Sequence, residues 1–272
     1  MQNENSPDLN KSGLASFYIY RHRHSTKLFY SKFIKNMLSY YYLQQKEALT
    51  MIETTPIIPF PASDLKESIR TFTVRYKELM AYYRCAMMEV ETKFRVLSEN
   101  FSLEEDRNPI EAIKIRMKSP ESIRNKLESR DLPLTIESIE KNLNDVAGVR
   151  VICGFPGDIY RLAEAFLSQD DVELIERKDY IENPKRNGYR SLHLIVTVPI
   201  YLHDEKRRMR VEVQFRTIAM DWWASLEHQI RYKKEVTVTK DDAKELRDCA
   251  EQAALLDYRM EQLYQSIQGS DA

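Results

Sequence analysis

The sequence has few cysteines and almost no net charge. The three cysteines, Cys85, Cys153 and Cys249, are too few and too far apart for a disulfide framework or a zinc cluster, and they are compatible with a reducing compartment. The 41 lysines and arginines nearly balance the 42 aspartates and glutamates, so the chain has no overall basic field for DNA or a membrane surface. Any site that binds anions must therefore be local.

Long hydrophobic runs are also missing. The stretch from Leu192 to Ile200 is interrupted by His193 and Thr197, and it is far shorter than the ~20 residues that a membrane span requires. The first 50 residues contain no apolar core followed by a small-residue cleavage site, as a signal peptide would. We therefore expect a cytoplasmic protein with no membrane partner.

The chain is long enough to form a substantial core, with 272 residues of which 43% are hydrophobic. Its first part is rich in tyrosine and shows no clean periodicity, and we expect translation to begin at Met51. Apolar residues then recur at helical spacing between Ser63 and Asn100. We predict four segments: a poorly structured extension at 1–50, an N-terminal helical region at 51–105, a core at 106–235 and a C-terminal helix at 236–272.

The core segment has the periodicities of both strands and helices. Between Ile113 and Lys118, apolar residues alternate with basic ones, as in a half-buried strand. Further strands are predicted at 149–153, 172–175, 192–198 and 209–216, the last two forming a hairpin around 203–207. Helices are predicted from Ser119-Pro120 and at 158–168, 217–233 and 240–268. The fold class is α+β: a mixed sheet of about five strands flanked by helices, with helices at both ends.

Two acidic residues occupy positions where strands could bring polar side chains together. Glu212 lies on an alternating strand, whose polar residues share one face. Such a strand more often presents only a solvated face, and Asp145, at the entry to the strand at 149–153, is alone more often a turn residue. If the two strands are neighbours, the two carboxylates could share one Mg²⁺ with substrate phosphates.

Two basic segments are suited to phosphates. The segment from Lys178 to His193 joins four cations to Tyr189 and to an Asn187-Gly188 turn, and such a loop could hold phosphates beside a stacked nucleobase. The segment from Arg116 to Lys126 places cations at the N-terminus of a predicted helix, which attracts phosphate. A hairpin turn or a solvated face would explain either segment alone. Both segments together with two acidic positions favour a nucleotide site.

Several motifs in this order resemble the synthetase domain of the RelA/SpoT family, and the short chain is similar to its small, RelQ-like alarmone synthetases. The motifs cover about Lys114 to Lys233, and their combination is highly specific. They are Arg116-x-Lys118-Ser-Pro-x-Ser122-Ile-x-x-Lys126, Asp145-Val-Ala-Gly-Val-Arg150, Lys178-Asp-Tyr-Ile, Pro184-Lys-x-Asn-Gly-Tyr-Arg-Ser-Leu-His193, Val211-Glu-Val-Gln-Phe-Arg-Thr217, Trp223-Ala-x-x-Glu227-His228 and Tyr232-Lys233.

The resemblance implies a nucleotidyltransferase-like fold and a reaction. The β,γ-diphosphate of ATP would move to the 3′-hydroxyl of GDP or GTP, giving ppGpp or pppGpp and AMP. Asp145 and Glu212 would be catalytic and would hold Mg²⁺, and Glu212 could also accept the hydroxyl proton. The implied ATP-binding residues are Arg116, Lys118, Ser122, Lys126 and Lys178. The implied GDP- or GTP-binding residues are Lys185, Asn187, Tyr189, which would stack on guanine, His193 and, more weakly, Gln214 and Arg216.

The resemblance also bears on partners and on rival functions. Small family members are tetramers built through their terminal helices, which implies a homotetramer. The hydrolase domain of long members uses histidine and aspartate ligands, but His203-Asp204 lies alone in a predicted loop, so we expect no alarmone hydrolysis. Two alternatives stay open: a toxic relative that modifies adenine nucleotides or transfer RNA, and a catalytically silent module that binds single-stranded RNA. The joint presence of Asp145, Tyr189 and Glu212 argues against the silent module.

Overall fold

The computed structural model describes residues 62–104, 107–232 and 239–268. The predicted extension at 1–50 and the suggested start at Met51 lie outside the described residues. The chain divides into two compact units, the first made of residues up to Tyr76 with Ser119–Ile139, and the second of Lys77–Lys118 with Glu140–Ala272. Within the described ranges, no helix is both long enough and apolar enough to cross a membrane.

Helices and strands are interspersed along the described chain. The helices are α1 (Ala62–Glu104), α2 (Pro120–Glu128), α3 (Ile136–Asn142), α4 (Pro156–Leu167), α5 (Ile218–Tyr232) and α6 (Lys240–Gln268). The strands are β1 (Ile110–Met117), β2 (Ala147–Cys153), β3 (Glu173–Asp179), β4 (Leu192–Tyr201) and β5 (Lys206–Thr217). The predicted α+β class is confirmed.

The second unit contains one mixed sheet of five strands in the order β1-β2-β5-β4-β3. Strands β2 and β5 are parallel neighbours, whereas the other three pairs are antiparallel. The hairpin between β4 and β5 closes with Tyr201 opposite Lys206, as the sequence predicted. Because β2 and β5 are adjacent, the strand that follows Asp145 lies directly beside the strand that carries Glu212.

The sheet has one apolar face, which helices cover. Val211, Val213 and Phe215 on β5 are fully buried. The ring of Phe94 on α1 lies 4.6 Å from that of Phe166 on α4 and 5.5 Å from that of Phe215, measured between ring centroids. Since side chains alternate along a strand, this packing directs the polar residues of β5 to the opposite face. The polar face of the sheet is therefore where a site can form.

The first unit shows how the sequence starts a helix. The Ser119 hydroxyl oxygen accepts a hydrogen bond from the Ser122 backbone N–H, and Pro120 occupies the first helical position, so the predicted start of α2 is confirmed. Ile123 and Leu127 are its buried residues. The seven-residue helix α3 was not predicted, because it is too short for a helical period to show.

Several contacts attach the C-terminal helix α6 to the rest of the second unit, and two of them lie where β5 ends and α5 begins. The Trp223 indole N–H of α5 donates to the Leu246 carbonyl at 2.8 Å. The Thr217 hydroxyl donates to the Asp257 carboxylate and accepts from the Met220 backbone N–H, so it also caps α5. Helix α6 therefore supports the end of β5 and the start of α5, next to the polar face.

Candidate active site

Two rows of side chains cross the polar face of the sheet. The first row, in strand order from β1 to β3, is Lys114, Arg150, Gln214, His193 and Lys178. The second row is Arg116, Gly148, Glu212, Ile195 and Glu176. Four of the five residues in the first row can be cationic, and a glycine leaves space beside Glu212 in the second. The face thus offers Glu212 near its centre, with cations around it and a second acidic residue, Glu176, on the edge strand β3.

Glu212 is held at the centre of this face by two hydrogen bonds. Its Oε1 lies 3.1 Å from His193 Nδ1, and its Oε2 accepts from Gln214 Nε2 at 2.9 Å. The side chain is 18% exposed. Burial raises the pKa of this carboxyl, but the hydrogen bonds and charge of its partners outweigh burial, so the pKa lies below its usual range. Glu212 is accordingly an ionised, partly accessible base.

His193 connects Glu212 to the loop that precedes β4. Its Nε2 lies 2.9 Å from the Tyr189 hydroxyl oxygen, and that oxygen accepts from Arg216 Nη2 at 2.7 Å. The rings of Tyr189 and His193 meet edge to face, with centroids 5.9 Å apart. A continuous chain of hydrogen bonds thus links Arg216, Tyr189, His193 and Glu212.

A group of aromatic rings beside this chain includes a lysine. Tyr180 meets His193 edge to face at 5.3 Å and Tyr189 at 6.1 Å. The Lys185 ammonium nitrogen lies 4.4 Å from the Tyr180 ring centre and 4.8 Å from that of Tyr189. Desolvation, followed by the charges of nearby cations, lowers the pKa of Lys185. Flat rings with a cation between them are suited to a nucleobase and its phosphates.

The loop that supplies Tyr189 has the turn predicted from Asn187-Gly188. Gly188 has a φ of +89°, which favours glycine, and its N–H donates to the Lys185 carbonyl at 2.8 Å. A Cβ atom at position 188 would lie only 2.6 Å from the Cβ of Ala250, so the loop packs closely on α6. Asn187 Nδ2 donates to Glu227 on α5 at 3.2 Å. Helices α5 and α6 therefore fix the position of Tyr189.

A second carboxylate lies at the end of the sheet where β1 and β2 meet. The Lys118 ammonium donates to Asp145 Oδ2 at 2.9 Å, and both side chains are 19% exposed. The charge of Asp145 acts to raise the pKa of Glu212, so the two carboxylates influence each other electrostatically. Two hard oxygen donors suit Mg²⁺ that also binds phosphates and water. The described residues contain no group of three or more metal-ligating side chains.

A buried aspartate organises the cations at the other end of the polar face. Asp221, in the first turn of α5, is 6% exposed and accepts hydrogen bonds from three strands. Lys114 donates to its Oδ2 at 2.8 Å, and Arg150 and Arg216 each donate to its Oδ1 at 3.0 Å. Burial raises its pKa, but these cations outweigh burial and hold the pKa below its usual range. The cluster keeps two arginines in place on the face.

Comparison with known proteins places this site in a family. Residues 115–237 match the model described as "Region found in RelA / SpoT proteins". The chain is 41% identical over 194 residues to the GTP pyrophosphokinase YwaC of Bacillus subtilis, covering 71% of this chain and 92% of YwaC. It is 31% identical over 198 residues to YjbM of the same organism, also a GTP pyrophosphokinase, covering 73% of this chain and 92% of YjbM.

The chain belongs to the RelA/SpoT family. Its structure is similar to that of the small alarmone synthetase 1 from Bacillus subtilis bound to its product pppGpp, with a TM-score of 0.66 and 32% identity, covering 71% of this chain and 98% of that one. It is likewise similar to small alarmone synthetase 2 from the same organism, with a TM-score of 0.64 and 40% identity, covering 70% of this chain and 98% of that one. The predicted family is therefore confirmed.

The RelA/SpoT motifs are distributed over both units of the chain. Glu212, Gln214, His193, Tyr189 and Lys185 form one connected group on the polar face of the second unit. Asp145, Lys118 and Arg116 belong to the β1 and β2 end of the same unit, and Lys178 ends β3, where it pairs with Glu176 at 2.9 Å. Ser122 and Lys126 lie on α2 in the first unit. The roles of all these residues in binding remain predictions.

Sequence reasoning missed three residues of this site. Asp221 and Arg150 belong to the cation cluster, and Tyr180 contributes a ring beside Tyr189. Arg150 and Tyr180 stand within the RelA/SpoT motifs, so the motifs could have indicated them. Asp221 gives no such signal, because an acidic residue in the first turn of a helix is commonly found there for its favourable interaction with the helix dipole.

Proposed function

We propose that this RelA/SpoT-family chain is a GTP pyrophosphokinase that makes ppGpp or pppGpp from ATP and GDP or GTP. The observation that carries the proposal is the Glu212 carboxylate, bonded to His193 and Gln214 beside the Tyr189 ring, on a sheet face otherwise rich in cations. Relatives that match nearly over their whole length are GTP pyrophosphokinases. A base, a stacking ring and cations are the parts that diphosphate transfer to a nucleoside hydroxyl requires.

The acceptor nucleotide would bind at the aromatic end of the polar face. Tyr189 would stack on guanine, an interaction worth ~1–3 kcal/mol per base. Lys185, already within 4.8 Å of the Tyr189 ring centre, would meet the acceptor phosphates. Asn187, His193 and Gln214 would contribute polar contacts to the same nucleotide. This arrangement would bring the ribose 3′-hydroxyl towards Glu212.

The chemical step requires little more than positioning and charge. Glu212 would take the proton of the 3′-hydroxyl, whose oxygen forms a bond to the β-phosphorus of ATP. The bond between the β-phosphorus and the oxygen that bridges to the α-phosphate then breaks, and AMP leaves with that oxygen. The pKa of Glu212 lies below its usual range, so the carboxylate is ionised at neutral pH and has a free charge with which to accept the proton. Cations around the diphosphate stabilise the charge that is transferred.

ATP would be bound by cations from both edge strands of the sheet, β1 and β3. Lys178 on β3, Arg116 on β1 and Lys118 beside Asp145 are available in the second unit. Ser122 and Lys126 follow the helix N-cap in the first unit. Their place in the RelA/SpoT motif, close to a helix N-terminus, favours a role in binding phosphate. Asp145 and Glu212 would hold Mg²⁺, which neutralises phosphate charge when it is bound.

The proposal extends to the organisation of the molecule. Residues 106–235 would be the catalytic core, with the helical region at 51–105 before it and the C-terminal helix at 236–272 after it. Exposed apolar residues on α6 support a homo-oligomer, and we propose a tetramer. Because ATP and GTP are cytoplasmic nucleotides, the reaction would occur in the cytoplasm.

Product analysis tests the function directly. Purified full-length protein is incubated with Mg²⁺, ATP labelled at the γ-phosphate and one acceptor at a time: GDP, GTP, ADP or transfer RNA. Labelled ppGpp or pppGpp with an equal amount of AMP is the expected result. Label in adenine nucleotides or transfer RNA instead would assign the chain to the toxic relatives. Salt-dependent binding of single-stranded RNA without any transfer would assign it to the silent RNA-binding alternative.

A further inference from the structure

The hydrogen-bond chain on the polar face begins at a residue that can only donate. Arg216 is buried, its Nη1 donates to Asp221 Oδ1 at 3.0 Å, and its Nη2 donates to the Tyr189 hydroxyl oxygen at 2.7 Å. A guanidinium has no acceptor, so the Tyr189 oxygen must accept this bond. The proton of Tyr189 is then directed to His193 Nε2, 2.9 Å away.

The direction of these bonds determines which nitrogen of His193 carries the proton. When Nε2 accepts from Tyr189, the neutral imidazole has its proton on Nδ1. That nitrogen lies 3.1 Å from Glu212 Oε1 and can donate to it. The order of donors from Arg216 to Glu212 is thus consistent at each step, and each group has the partner that it needs.

Asp221 is what keeps Arg216 in this position. It accepts from Arg216 and Arg150 on one oxygen and from Lys114 on the other, and it is 6% exposed. Removing one partner of a buried ion pair leaves the other charge without compensation. Without the Asp221 carboxylate, the guanidinium of Arg216 would keep, besides its bond to Tyr189, only the longer bond from Nη2 to Gln214 Oε1 at 3.3 Å among the contacts of the described residues. Arg216 would therefore be held less firmly in the position from which it bonds Tyr189.

We infer that Asp221 and Arg216 are positioning residues, which act through Tyr189 to hold His193 in its Nδ1-protonated form against the general base Glu212. The inference rests on the proposed function, because it gives that role to Glu212. Other charged groups that influence Glu212 are Asp145, which precedes β2, Lys178 at the end of β3 and Lys185 in the loop before β4. None of these belongs to the chain from Asp221, so its effect can be separated from theirs.

The first test measures the histidine tautomer and needs no substrate. The full-length protein is labelled with ¹⁵N-histidine, and a long-range ¹H–¹⁵N NMR spectrum at neutral pH distinguishes the two neutral tautomers of each imidazole. A His193→Ala variant identifies the His193 signals among those of the five histidines. We expect the Nδ1-protonated form in the wild type. It should give way to the Nε2-protonated form in Asp221→Asn and in Tyr189→Phe, which keeps the ring but removes the hydroxyl. An Nε2-protonated His193 in the wild type overturns the inference.

The second test is kinetic. Asp221→Asn and Tyr189→Phe should each lower kcat by roughly 10- to 100-fold, while the KM for GDP stays nearly constant. This loss is smaller than the ~10²- to 10⁴-fold that a general base contributes, because Glu212 itself is still present. Since both variants break one chain, the double variant should be no slower than the slower single one.

Controls separate positioning from general damage and from failure of the proposed function. Asp241→Asn removes an exposed carboxylate from the first turn of α6 and should leave tautomer and rates unchanged. Losses in kcat that multiply in the double variant would show a merely structural role. If Asp221→Asn does not fold, Arg216→Lys takes its place. Its tautomer and kcat are then compared with those of Tyr189→Phe and of the variant that combines both changes. A wild type that shows the Nδ1-protonated His193 but transfers no diphosphate refutes the proposed function alone.

Discussion

At the scale of single residues, the proposed chemistry depends on one carboxylate, that of Glu212. Glu212→Gln keeps the size of the side chain and an oxygen that can accept from His193, but it removes the charge and the base. We expect kcat for diphosphate transfer to fall by roughly 10²- to 10⁴-fold, with no loss of thermal stability. The control is Glu173→Gln, which makes the same change at an exposed residue of β3 and should retain full activity. Normal turnover in Glu212→Gln would remove Glu212 from the mechanism.

We expect recognition of the acceptor's base to depend on the Tyr189 ring. Tyr189→Ala should raise the KM for GDP by roughly 5- to 100-fold, which corresponds to the ~1–3 kcal/mol of one stacked base. Tyr189→Phe provides the matched comparison, since it retains the ring and should keep a nearly normal KM. Steady-state kinetics with GDP varied at saturating ATP measures both. Equal KM values in the two variants would count against stacking.

The sequence could predict the residues of this site that belong to motifs, but not their connections. Glu212, His193 and Tyr189 stand in segments whose joint pattern is specific, and the structure brings them into contact. Asp221 had no distinguishing neighbour in the sequence. Its role follows from tertiary structure, because the three cations that it binds come from β1, β2 and β5.

At the scale of secondary structure elements, the contact between α6 and β5 should depend on pH. Asp257 on α6 is buried, and burial raises its pKa to about 6, with the charge of Glu261 acting in the same direction. Because the folded pKa exceeds the unfolded one, the folded state binds the proton more tightly. This contribution to stability is complete below pH ~4 and is lost as the pH rises to ~6. The loss is at most about 3 kcal/mol, from a shift of about two pKa units.

Asp257→Asn tests this contribution. Asparagine can still accept a hydrogen bond from the Thr217 hydroxyl but does not titrate, so the variant should gain stability relative to wild type between pH 4 and 7. Urea unfolding at a fixed protein concentration, repeated across that range, measures the difference. Asp248→Asn, on the same helix and paired only with Lys244 at 3.9 Å, is the control. A stability difference that does not change with pH would contradict the assignment.

Local periodicity explains why most elements were predictable and where prediction ended. The strands β1, β2, β4 and β5 alternate or run apolar, and all were found near the predicted positions. Strand β3 was predicted at 172–175 but extends over Glu173–Asp179. The prediction ended too early because the second half of the strand is charged, which an edge strand allows. The parallel pairing of β2 with β5 joins distant segments, and no local pattern specifies it.

At the scale of the whole molecule, the exposed apolar face of α6 is a candidate surface for binding another subunit. Four of its residues at helical spacing are more than half exposed: Leu256 (56%), Met260 (56%), Leu263 (54%) and Ile267 (56%). Isolated exposed hydrophobic residues are ordinary, but a continuous stripe along a helix is typical of an interface. A long amphipathic helix of this kind supports the proposed homo-oligomer.

Breaking the stripe should therefore change the assembly and not the fold. Leu256→Glu combined with Leu263→Glu introduces two charges that would be costly to bury, so we expect a smaller species in size-exclusion chromatography with light scattering. Gln252→Glu with Gln265→Glu adds the same charge at other exposed positions of α6 and should leave the mass unchanged. If both double variants keep the mass of the wild type, α6 is not the interface. If the smaller species still transfers diphosphate at the normal rate, each subunit contains a complete site.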